Sequence, residues 1–224
     1  MENIYEKARL EILKNLRVGL EFPVKEGSLT PAQRAKIQAH AKRFGHLEKD
    51  VLKIVLENEV AYFAIVGKNP GRMDYYEDAL VRFLSQQSQV RRAVKLPKSG
   101  PRAKYIWRGE VLTGGGRRGD VKSLDLEVEF NNGALLYVVH KFTQEGGGAQ
   151  DNQYREAKGA LAQVRLQSGK VKVNLAAVLD GEYYLKPSAK GISKLQATQL
   201  EHTDAVVCTY QTFIQETKSI WGRR

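Results

Sequence analysis

The stretch Ser123-Leu124-Asp125-Leu126-Glu127-Val128-Glu129-Phe130, with the turn Asn131-Asn132-Gly133 and the apolar run Ala134 to Phe142 behind it, decides the fold. Apolar and acidic residues alternate strictly through its first part, the period of a strand with one buried face. Asn-Asn-Gly is turn chemistry, so the whole predicts a β-hairpin. Two registers are open. A two-residue Asn132-Gly133 loop sets Asp125 opposite His140. A three-residue loop, with Gly133 left-handed and a bulge, sets it opposite Val139. Three-residue loops favour glycine at their third position, which favours the second register, and Asp125, Glu127 and Lys141 then share one side.

That shared side carries the chemistry. Asp125, Glu127 and Glu129 on one strand face repel one another unless solvent, cations or a metal offset the charge. On the return strand Lys141 is the sole lysine or arginine. Carboxylates that hold Mg²⁺ beside a lysine are the equipment for phosphodiester hydrolysis. The metal polarises the phosphoryl oxygen and lowers the pKa of bound water, and the lysine orients the nucleophile or stabilises developing charge. His140 serves as base or ligand in the two-residue register alone.

Towards the N-terminus the pattern is helical. Ile4, Ala8, Leu10, Ile12, Leu13, Leu16 and Leu20 recur at helical spacing up to Pro23. Thr30-Pro31 reads as an N-cap with proline at the first helical position, and Gly45 as that helix's stop. Leu47 to Val66 predicts one further helix and Met73 to about Arg92 another. Between them, residues 1–90 read as a helical region and 91–224 as the core. Tyr105 to Leu112 predicts a strand. After the hairpin, Gly146-Gly147-Gly148 opens a helix from about Ala149 to Leu166. Strands are expected at Val171 to Leu179 and Ala205 to Thr209, and a closing helix at Tyr210 to Trp221. The fold class is therefore α/β, a mixed sheet behind a helical N-terminal part.

The 224 residues carry a formal net charge of +11, with 42% apolar and 27% charged residues, enough for a buried core. From Ser88 to Lys122 ten cations face two acids, a net +8 within that segment. Arg91, Arg92, Lys98, Arg102, Lys104, Arg117, Arg118 and Lys122 are the residues expected to contact a DNA backbone, with Tyr105 and Trp107 interleaved. The run Gly114-Gly115-Gly116-Arg117-Arg118-Gly119 lacks the Gly-Lys-Ser/Thr of a phosphate-binding loop for nucleotide hydrolysis. Cys208 is the one cysteine, in an apolar run that reads as core, and it excludes an intramolecular disulfide framework. His202-Thr203-Asp204 reads as a polar turn. No apolar run reaches the ~18 residues of a membrane span, and the first residues lack a signal-peptide core, so a cytoplasmic protein is expected.

An acid on a first strand, a hairpin, a lysine on the second strand and a following helix resemble the PD-(D/E)XK nuclease superfamily. The segment Val139-His140-Lys141-Phe142-Thr143-Gln144-Glu145-Gly146-Gly147-Gly148-Ala149-Gln150-Asp151-Asn152-Gln153-Tyr154 also resembles the lysine-then-GGxQD stretch of type II restriction endonucleases. The resemblance implies a restriction-endonuclease-like core, with Asp125 as first metal-binding acid, Lys141 as motif lysine and Gln150 as a residue that orients the nucleophile. Gln150 and Tyr154 are spaced like the QxxxY helix motif of RecB-like members, and i, i+4 spacing sets them on one helical face. The motif's second acid falls on Val139, which cannot ligate a metal. Glu127, two residues from Asp125, and Glu156, fifteen residues past Lys141, are the available substitutes. A second alignment, similar to the ExE variant, takes Asp120 as first acid and puts Glu129 in the lysine's place.

In function, the resemblance implies a Mg²⁺-dependent type II restriction endonuclease that cuts double-stranded DNA at a short site and works as a homodimer. A structure-specific repair or recombination nuclease, and a non-catalytic DNA-binding protein on a nuclease scaffold, are the alternatives.

Overall fold

The computed structural model describes residues 3–18, 22–66, 75–114, 122–144, 148–164, 173–189 and 191–222. The chain divides between Tyr76 and Glu77 into two compact units, and each is described by itself.

In the first unit the helices are α1 (Ile4–Val18), α2 (Pro31–Phe44), α3 (Glu48–Glu57) and α4 (Glu59–Val66). α2 starts as its sequence predicts. Thr30 Oγ1 accepts the Gln33 N–H at 3.3 Å, and Gln33 Oε1 accepts the Thr30 N–H at 2.7 Å, a reciprocal cap with Pro31 just inside it. The single helix expected over Leu47 to Val66 breaks at Asn58. Its side chain accepts the Ala61 N–H at 2.9 Å and so starts α4 afresh. Ile37, Ala41, Val51, Val55, Tyr62 and Val66 form this unit's core.

α5 (Tyr75–Ser85) crosses the division and leads into the second unit. There follow β1 (Val90–Lys95), β2 (Lys104–Trp107), β3 (Glu110–Thr113), β4 (Leu126–Phe130), β5 (Leu135–Phe142), α6 (Gly148–Ala162) and β6 (Leu175–Asp180). The chain ends through α7 (Glu182–Leu185), α8 (Lys194–Glu201), β7 (Val206–Cys208), α9 (Phe213–Glu216) and α10 (Lys218–Trp221). The architecture is α/β: a mixed five-stranded sheet of order β1-β4-β5-β6-β7, flanked by helices. β1, β4 and β5 pair antiparallel, whereas β5, β6 and β7 run parallel. The parallel step from β5 to β6 requires a crossover, and α6 supplies it.

The hairpin takes the three-residue register. Leu126 faces Val138 and Glu127 faces Tyr137, while Phe130 and Ala134 close a loop in which Gly133 adopts φ +81°. Continuing that register sets Asp125 opposite Val139, and the Asp125 N–H donates to the Val138 carbonyl at 2.9 Å.

Three further expectations are corrected. The helix expected to run to about Arg92 ends at Ser85, and Val90–Lys95 is a strand, because this segment finds a ladder partner in β4. The strand expected from Tyr105 to Leu112 is instead a separate β2–β3 ribbon. It turns at Arg108-Gly109, both at positive φ, the conformation of a two-residue hairpin turn. The closing helix is two short ones, α9 and α10. α8 was not expected, although Ser193 and Gln196 form a second reciprocal cap at its start.

The two faces of the sheet differ. Val139, Leu175, Ala177 and Leu179 pack with Ala157, Ala160 and Leu161 of α6 and with Val164 just beyond it. Alternation along β4 and β5 puts Asp125, Glu127 and Lys141 on this same side. Leu126, Val128, Phe130, Leu136, Val138 and His140 lie on the other and are all buried. At the end of β5 the chain is tight: a Cβ on Gly181 would sit 2.1 Å from the Thr143 carbonyl oxygen, so Gly181 is fixed by contact as well as by its φ of +97°.

Candidate active site

Asp125 and Lys141 meet where β5 nears its C-terminal end. Lys141 Nζ lies 3.3 Å from Asp125 Oδ2, and the same oxygen accepts the His140 N–H at 2.8 Å. The carboxylate is therefore oriented by the backbone of the strand that carries the lysine. Asp125 is 6% exposed. Its Oδ1 accepts from no described residue.

Glu127 is placed otherwise. Its Oε1 accepts from Arg92 Nη2 of β1 at 3.1 Å, and its Oε2 accepts from Lys104 Nζ of β2. That hydrogen bond raises the Lys104 pKa, and the Lys104 ammonium also lies 5.2 Å from the centre of the Tyr137 ring. Glu129, next on the face, takes Arg91 Nη1 at 2.8 Å and Arg92 Nε at 3.6 Å. The repulsion expected among the three acids is thus offset by cations from β1, β2 and β5. As sequence alone, Arg91, Arg92 and Lys104 read as DNA contacts; the arginine pairings depend on β1 lying beside β4 and the lysine pairing on where β2 lies, which no local signal conveys.

Glu156 on α6 pairs with Lys122 at 3.2 Å. Gln150 stands half-buried in the first turn of α6 and hydrogen-bonds to no described residue. Tyr154, one turn on, is tied elsewhere: its hydroxyl lies 2.8 Å from Thr198 Oγ1 and donates to the Lys194 carbonyl at 3.3 Å. It holds α6 to α8. Val139, at the position of the motif's second acid, is 4% exposed in the sheet–α6 core. Among the other basic residues, Lys98 pairs with Glu77 at 3.3 Å and Arg102 is exposed. Arg117, Arg118 and Asp120 lie outside the described residues.

His140 faces away from Lys141 and is sealed. Burial first, and the neighbouring Lys141 charge second, lower its pKa to about 3, and its Nε2 lies 3.9 Å from Asp180 Oδ2. A neutral imidazole so enclosed cannot reach the acid face, so the three-residue register removes it as a base. Cys208 is buried and its thiol is raised by desolvation, in keeping with a core position.

A divalent ion implied by the resemblance needs oxygen ligands. Among the described residues no group of three or more His, Cys, Asp or Glu side chains is drawn together to hold one. Asp125 Oδ1 fits as one ligand beside Lys141. Glu127 is close along the strand and chemically suited, but both its oxygens accept from cations. In donor chemistry the two carboxylates suit Mg²⁺, which one or two carboxylates commonly hold, and of their four oxygens Asp125 Oδ1 alone accepts from no described residue.

No family model, no curated protein and no solved structure matches this chain. No helix among the described residues is long and apolar enough to cross a membrane.

Proposed function

We propose that the protein is a metal-dependent DNA endonuclease of the type II restriction class, hydrolysing phosphodiester bonds in double-stranded DNA at a short specific sequence. The observation that carries this reading is the 3.3 Å pairing of Lys141 with Asp125 on one face of the hairpin. A mixed sheet with helices around it, and a helix directly after the lysine strand, agree with a restriction-endonuclease-like core.

Bound Mg²⁺ supplies Lewis-acid polarisation of the phosphoryl oxygen and a water of lowered pKa. Asp125, fixed by the His140 N–H, would hold the ion through its carboxylate, with Glu127 as second acid. Lys141 stands beside that carboxylate with its ammonium available to the phosphate, where it orients the nucleophile and stabilises charge that builds up at phosphorus. Gln150, whose amide bonds to no described residue, would position the attacking water. Arg91, Arg92, Lys98, Arg102, Lys104 and Lys122 supply cations for the DNA backbone, an electrostatic and sequence-independent grip. A homodimer on a palindromic site, in the cytoplasm, completes the reading, since a two-fold protein matches a two-fold sequence.

One observation favours a second reading. Val139 is packed as a core residue, which suits a DNA-binding protein on a scaffold that no longer cuts. Plasmid incubated with Mg²⁺ separates the readings. Discrete bands support the restriction nuclease. An intact plasmid that nonetheless shifts on a gel supports the binding protein, and cleavage confined to flaps or junctions supports a structure-specific nuclease.

A further inference from the structure

Glu127 is surrounded in a way that a simple metal ligand would not be. Its side chain is 8% exposed, while the two cations that hold it are more open: Arg92 at 55% and Lys104 at 24%. An anion arriving from solvent therefore meets the cations before it meets the carboxylate. The cations come from two different elements, β1 and β2, and take one carboxylate oxygen each.

The local charge count matters next. Asp125, Glu127 and Glu129 face Arg91, Arg92, Lys104 and Lys141. With every acid already paired, a dication that approaches Glu127 meets two like charges at the oxygens it needs. Removing both cations with nothing in exchange leaves a buried carboxylate uncompensated, which is strongly unfavourable. The clamp and a metal ion are thus alternative partners for the same group, and something must draw the cations off before the exchange can occur. A phosphodiester carries the charge and the acceptor oxygens to do so, since arginine binds phosphate in the same fork geometry it uses for carboxylate.

We propose that Arg92 and Lys104 form a phosphate clamp closed on Glu127 in the free protein, and that the DNA backbone, by taking both cations, releases Glu127 to the divalent ion. This rests on the nuclease reading and adds its regulation: the acid pair completes itself only on DNA. Coupling of this kind is reciprocal, so the ion tightens DNA binding by the factor by which DNA tightens the ion.

The test measures binding, not cleavage. Uptake of Mn²⁺ by the full chain without DNA is followed through the electron paramagnetic resonance signal of the unbound ion. The Arg92→Gln/Lys104→Met variant is expected to bind Mn²⁺ about ten-fold more tightly than wild type, a coupling of ordinary size, and adding Glu127→Gln is expected to abolish the gain. Equal affinity in wild type and double variant, or a gain that persists with Glu127→Gln, overturns the proposal. Wild-type protein gives a second measurement that needs no clamp variant to fold. Ca²⁺ is expected to raise its affinity for a fluorescent duplex about ten-fold, and by much less in Glu127→Gln; an affinity indifferent to Ca²⁺ overturns the proposal. Plasmid cleavage without either effect would leave a nuclease lacking this clamp, and both effects without cleavage would leave the clamp on a protein that does not cut.

Discussion

Asp125 and Glu127 leave one strand face two residues apart, and the molecule treats them differently. Asp125 shares one oxygen between a backbone N–H and Lys141 and keeps the other clear of described residues. Glu127 has both oxygens occupied by cations that reach over from β1 and β2. The difference comes from position along the hairpin. β1 and β5 flank β4 on either side, and the Leu96 N–H reaches the Asp125 carbonyl at 2.8 Å. What differs is the cation that arrives: Lys141 of β5 at Asp125, and Arg92 of β1 with Lys104 of β2 at Glu127. Two acids of like sequence context are thus held differently, Asp125 poised with one oxygen clear of described residues and Glu127 with both oxygens paired.

The largest expected effect falls on the poised acid. Asp125→Asn keeps a similar shape but loses the charge that faces Lys141, and single-turnover DNA cleavage should drop about a hundred- to a thousand-fold, with duplex binding retained. Cleavage at wild-type rate would reverse the two roles. Glu127→Ala should also lose cleavage, yet it should bind DNA more tightly at low salt, because Arg92 and Lys104 are set free. The salt dependence of binding should stay close to that of wild type, because both cations contact phosphate in either complex. Full cleavage by Glu127→Ala would take Glu127 out of the site and put Glu156 in its place.

Val139 sharpens the same comparison from the opposite strand. It faces Asp125 but belongs to the sheet–α6 core. Val139→Ala should lower unfolding free energy by about 2 kcal/mol in denaturant titrations, through lost burial and the cavity left behind. A change confined to activity would mean that this position serves chemistry and not packing.

A pH slope is expected as well. His140 holds Asp125 through its backbone while its ring stays neutral, with a pKa lowered to about 3. An unfolded histidine titrates near 6.5, so between about 6.5 and 3 the unfolded chain binds a proton that the folded chain refuses. This contribution is complete above about pH 6.5 and is lost progressively as pH falls. Denaturation midpoints should decline less from pH 7 to 4 in His140→Gln than in wild type. Parallel declines would mean that the imidazole is not sealed.

Much of this arrangement was legible from residues alone, for identifiable reasons. Strict alternation from Ser123 to Phe130 and the glycine at the third loop position led to the hairpin and its register, because both are local signals. That register brought Lys141 to Asp125. Proline and cap residues at Thr30-Pro31 marked α2 for the same reason. The strand at Val90–Lys95 was not legible, since its pairing partner lies about 31 to 40 residues away along the ladder and its own residues read as the end of a helix. Everything that depends on that strand was hidden with it, including the Arg92–Glu127 and Arg91–Glu129 pairs. The break at Arg108-Gly109 was a readable turn signal within an otherwise apolar stretch, and Ser193-x-x-Gln196 marked a helix start in plain view. Val139 could be seen to lack an acid, but its place in the core needed the parallel strand β6 alongside.

The most direct test is digestion of a mapped DNA with Mg²⁺, the ends sequenced, using wild type and Lys141→Ala side by side. The expected result is a fixed cut position within a short recurring sequence for wild type, and uncut DNA that is still bound for Lys141→Ala. Equal cutting by both proteins would contradict the assignment of chemistry to the Asp125–Lys141 pair.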